Sequence, residues 1–115
     1  MDEADKSLAA YESLKKSMPS IGFLNRKKRI IAFLKVAKKA QELIDNKDVS
    51  EDNALYLLSI MTKKNADFQK SAMMAAMHLA TVNRKIVPAV GFRYANEMRA
   101  NLQLLPIDDI TPALD

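Results

Sequence analysis

Seven cations fall within residues 26–39: Arg26, Lys27, Lys28 and Arg29 in a row, then Lys35, Lys38 and Lys39. Such side chains do one kind of chemistry well. They neutralise phosphates or carboxylates, and where they replace the counterions condensed on a polyanion, binding tolerates any sequence and weakens steeply with salt. Arg84, Lys85, Arg93 and Arg99 would extend the surface if their helices end beside it. Phe92 and Tyr94 flank Arg93, an interleaving that can stack bases between backbone contacts. Tyr94 also falls on a core-facing position of its predicted helix. The candidate set for contact with nucleic acid or another partner is therefore Arg26, Lys27, Lys28, Arg29, Lys35, Lys38, Lys39, Arg84, Lys85 and Arg93.

Other chemistries find little to work with. The sole histidine, His78, lies in the apolar run AMMAAMHLA, without the convergent partners that a general base or a metal site needs. Cysteine is absent, which removes thiolate ligands, thiol nucleophiles and disulfides. Gly22 and Gly91 are 69 positions apart, so no glycine-rich phosphate loop exists. Glu42, Asp45 and Asp48 are spaced as a helix end and turn rather than as a calcium loop, and no serine has a base nearby in sequence. A non-enzymatic protein without a metal or cofactor is expected. Met73, Met74 and Met77 could form an adaptable binding surface, but among alanines and leucine they read better as core filling.

The elements that carry these residues read as helices. Two glycines and four prolines in 115 residues are too few turn formers for a β protein. Apolar residues recur at helical spacing over 3–17, and Pro19 stops that helix. A second helix is predicted over about 23–46. At about 100° per residue it divides into an apolar arc holding Ile30, Phe33, Val36, Ala37, Ala40, Leu43 and Ile44 and an opposite arc holding Lys28, Lys35 and Lys39. Arg26 and Arg29 fall towards the apolar side, out of phase with the lysines, and Ile31 is the one large apolar residue among them.

Ser50 with Glu51 and Asp52 opens a third helix, and Lys63-Lys64-Asn65 closes it. A fourth is predicted over about 67–86, capped by Asp67 and central in the fold; one continuous helix over 51–86 is the longer alternative. A fifth spans about 88–105 with Pro88 in its first turn. A helix-turn-helix over 53–77 fits poorly, because Met and Ala stand where base-reading side chains are needed.

Charge comes in blocks: residues 15–47 sum to +8 and 70–105 to +4, while 1–14, 48–69 and 106–115 are acidic, leaving a net +4. The expectation is an all-α, compact single-domain bundle of about five helices over 1–105, followed by an acidic, proline-containing tail over 106–115. An acidic start and the lack of a long apolar run suggest an intracellular protein with no membrane span. Ala72, Ala75, Ala76 and Ala80 would admit a close helix from this chain or from a second copy, so a homo-oligomer is one outcome. The expected function is that of an accessory protein contacting DNA or RNA phosphates through a basic helix face, without strong sequence specificity. The alternative is an adaptor or regulator docking an acidic protein surface. The tail is expected to be an extended end, with docking to a partner or folding back onto the basic face as alternatives.

Overall fold

The structure, a computed structural model, describes residues 3–19 and 26–107. It is an all-α bundle of five helices: α1 (Glu3–Ser17), α2 (Arg26–Asp45), α3 (Glu51–Lys64), α4 (Ala66–Met77) and α5 (Ala89–Asn101). Single 3₁₀ turns at Leu79–Thr81 and Arg84–Ile86 link α4 to α5. No helix among the described residues is long and apolar enough to cross a membrane.

Phe33 of α2 is the centre of the core. Its ring stacks on Phe68 of α4 at 6.0 Å and on Tyr94 of α5 at 6.4 Å, in the offset range that aromatic pairs prefer. The Tyr94 hydroxyl lies 2.6 Å from the Thr62 hydroxyl, which donates to the Leu58 carbonyl one turn back, so α3 joins the same cluster. Burial pushes the Tyr94 phenol above its ordinary range, and the bond to Thr62 partly offsets this. Ala10 and Leu14 of α1 close the core from the remaining side.

Local chemistry explains where the helices stop. Ser50 accepts from the Asn53 amide and caps α3, as its spacing predicts. Asn65, in extended backbone at φ −128° and ψ 104°, ends α3 and accepts from the Phe68 amide to cap α4. That break rules out one helix over 51–86 and gives Asn65 the capping role expected of Asp67. The fourth helix is also shorter than predicted. At its end Thr81 turns back onto the His78 carbonyl, Asn83 accepts from the Lys85 amide, and the uncharged run continues as 3₁₀ turns. Arg99 reaches across to the Ala76 carbonyl and so satisfies one of the acceptors that α4 leaves open.

The fifth helix is likewise trimmed. Gln103 takes a left-handed conformation at φ 60°, and the amides of Gln103 and Leu104 return to the carbonyls of Ala100 and Arg99. The chain then doubles back along α5. The Asn96 side-chain amide pairs with both the N–H and the carbonyl of Ile107, and Arg99 holds the Leu105 carbonyl. Ile107, within the segment expected as tail from residue 106, packs against the core. The rest of the acidic tail, 108–115, and the start expected for the second helix at 23–25 lie outside the described residues.

The helices α2 and α5 cross closely at Gly91. A Cβ built on Gly91 would meet the Ala37 Cβ at 2.6 Å, a distance that methyl groups on two backbones cannot hold. Nearby, Gln41 of α2 accepts from the Val90 amide, which supplies the cap that Pro88 cannot offer. Gly91→Ala is therefore expected to force α5 off α2 and lower stability by about 1–3 kcal/mol. A thermal melt should show Tm falling by several degrees; an unchanged Tm would mean that the two helices are not in this close register.

Candidate nucleic-acid interface

The exposed side of α2 is cationic. Lys27, Lys28, Lys35 and Lys38 are all solvent-exposed, and Ile31 stands among them at 42% exposure. Val36, Ala37, Ala40 and Leu43 fill the buried side, as the apolar arc predicts. Lys39 is half-buried at the edge of the face and pairs with Glu42 at 3.7 Å, which reduces what it can offer a ligand.

Arg29 does not belong to this face. It is 2% exposed, and its guanidinium donates to the Asp67 backbone carbonyl at 2.9 Å and pairs with the Asp67 carboxylate at 3.5 Å. The out-of-phase position read from the helical wheel has this physical meaning: Arg29 is turned inward to fasten α2 to the start of α4. Arg26, one turn earlier, remains exposed.

Three of the later cations, Arg84, Arg93 and Arg99, are engaged by other groups of the fold. Arg93 pairs with Glu51 at 2.6 Å and lies 3.9 Å from Asp52, at the opposite end of α3 from Lys63 and Lys64. Its hydrogen bond to Glu51, then the charge of that carboxylate, hold the Arg93 guanidinium more firmly protonated than usual. Arg84 lies over the Phe92 ring, 3.7 Å from its centre, with its Nε buried. Lys85 is exposed beside it, and Arg99 is spent on helix-end carbonyls. Base stacking on Phe92 and Tyr94 is overturned: both rings are buried, Phe92 beneath Arg84 and Tyr94 in the Phe33 cluster.

The fold brings a different set to α2. Arg29 holds the first turn of α2 against the start of α4, and Asn65 joins that start directly to the end of α3. Lys63 and Lys64 from α3 and Lys70 from α4, all exposed, therefore share one end of the bundle with Arg26, Lys27 and Lys28. The nearby acid, Asp67, is already engaged by Arg29. Asp48, Glu51 and Asp52 lie at the other end, where Asp48 and Ser50 line an open polar cleft with Glu3, Lys6 and Lys47.

The remaining residues singled out by sequence have plain positions. His78 is half-buried at the end of α4, and no group of three or more metal-ligating side chains occurs among the described residues. Ala72, Ala75 and Ala76 are buried within this chain, so the helices they admit are its own; Ala80 is exposed. Met73 and Met74 are half-buried and Met77 is exposed. No protein-family model matches the chain, and no curated protein or solved structure does.

The first turn of α2 opposes its own helix dipole, since it contains four cations and no acid. Each such charge costs about 0.3–1 kcal/mol at a helix N-terminus. Two cations of one run should then respond in opposite ways. Lys27→Glu is expected to raise Tm by a few degrees, whereas Arg29→Met strands the Asp67 carbonyl and should lower stability by roughly 1–3 kcal/mol. Melts of the two variants check this, and shifts of the same sign would contradict the assignment.

Proposed function

We propose that this is a non-enzymatic accessory protein that contacts nucleic-acid phosphates through the exposed face of α2, without strong sequence specificity. The carrying observation is that Lys27, Lys35 and Lys38 stand exposed on one rigid helix face, with no acid paired to them among the described residues. A helix whose other side is committed to the core holds these charges at fixed spacing, which favours a ligand that also repeats its charge. Sequence tolerance follows where these lysines meet phosphates as flexible point charges, because the backbone they contact is the same at every sequence.

One observation favours a second reading, a protein-interaction adaptor. Ile31 is a large apolar side chain in the middle of the cationic face, and a protein surface that is acidic with an apolar centre would cover both.

Fluorescence anisotropy with random-sequence DNA separates the two. Binding at about 25 mM salt is expected to fall steeply as salt rises, and Lys35→Gln with Lys38→Gln should reduce the slope of log K against log salt by about 2, the value for two lost phosphate contacts. Wild-type protein that fails to bind at low salt contradicts the nucleic-acid reading and leaves the adaptor.

A further inference from the structure

We infer that the polyanion is double-stranded DNA and that the cationic end of the bundle meets it, with Lys63, Lys64 and Lys70 adding to the first turn of α2. This rests on the reading of α2 as a phosphate-contacting face, and adds to it a second set of residues and a class of ligand.

Six exposed cations, Arg26, Lys27, Lys28, Lys63, Lys64 and Lys70, come from three helices and converge on one end. Lys63 and Lys64 have a structural reason to be there, since they close α3 and complement its dipole. The cations of the α2 first turn have the opposite relation to their helix, and Lys70 lies in the N-terminal half of α4. Stability alone does not explain why positive charge is gathered here, whereas a polyanion would relieve the repulsion on binding.

Single strands are held by grooves that track one backbone and by exposed rings on which successive bases stack. Among the described residues, this end is built from the termini of α2, α3 and α4. Among the described residues Phe33, Phe68, Phe92 and Tyr94 are buried, Tyr11 is half-buried, and the exposed Tyr56 lies two turns back along α3. The roughly 12 Å major groove of B-form DNA admits a helix, so the cationic termini of α2, α3 and α4 can approach phosphates on both of its sides at once. The narrow major groove of an A-form RNA duplex does not admit a helix end.

The test compares a 20-base-pair random-sequence DNA duplex, one of its single strands and the matching RNA duplex by anisotropy over a salt series. The DNA duplex is expected to bind at least tenfold more tightly than the single strand, and more tightly than the RNA duplex. Replacing Lys63, Lys64 and Lys70 together by Gln should weaken duplex binding by about tenfold or more and reduce the salt slope by about 2–3, with circular dichroism preserved and Tm lowered by no more than a few degrees. Equal or tighter binding of the single strand or the RNA duplex overturns the choice of ligand. Unchanged affinity and slope in the triple variant overturn the role of this end, and loss of binding in the Lys35→Gln, Lys38→Gln protein would then leave the α2 reading standing. No binding of wild-type protein to any of the three overturns both.

Discussion

Arg29 reaching from α2 to Asp67 is the contact on which the surface of this protein depends. The guanidinium is buried, donates to a backbone carbonyl at 2.9 Å and meets a carboxylate that stays largely in solvent. Because one partner is exposed, the ion pair itself is worth little. The bond to the Asp67 carbonyl matters more, since a charged donor lost from such a site leaves an acceptor unsatisfied. Its geometric consequence is larger still, because it sets the start of α4 against the start of α2. Through the Asn65 corner, the end of α3 follows.

Beneath that contact, the Phe33, Phe68 and Tyr94 cluster keeps three helices in fixed relation, and the Thr62 hydroxyl adds the fourth. Gly91 allows α5 to come close enough to α2 for this cluster to form. The core thus sorts the charges. One end of the bundle receives the cations of three helix termini, and the other receives Asp48, Glu51 and Asp52, with Arg93 and Lys47 as partial offsets. The cost falls on the first turn of α2, whose charges oppose the dipole of their own helix. Proteins tend to keep such local conflicts where function requires them.

Much of the fold was legible in the chain. The apolar arc of α2, the Ser50 cap and the stop after α1 all follow from short-range chemistry, and the structure has them where the residues predict. The fourth helix is shorter than its residues predict because the run from Ala72 to Val82, though uncharged throughout, leaves the α-helix after Met77. What ends it is Thr81 and Asn83 turning onto neighbouring backbone groups, together with Arg99 arriving from α5. Only the first two of these signals are local. The surface was half legible. The lysine face of α2 is a property of one helix and could be read from its periodicity. The share of Lys63 and Lys64 could not, because residues 48–69 sum to an acidic block while α3 sends its acids to one end and its lysines to the other, and Lys70 joins them only through the Asn65 corner. The Lys63-Lys64 pair beside the Asn65 corner was the available hint. Arg29 gave a clearer signal, being out of phase with the lysines, and its role is to hold the fold together.

The central claim is that the cationic end, with α2, is where the polyanion sits. Amide chemical-shift mapping on uniformly labelled protein, titrated with a random-sequence DNA duplex at low salt, tests this most directly. The account predicts saturable shifts at residues 26–38, 63–64 and 66–70, reversed by added salt. Shifts centred on Glu51, Asp52 and Arg93, or no saturable shifts at all, would contradict it.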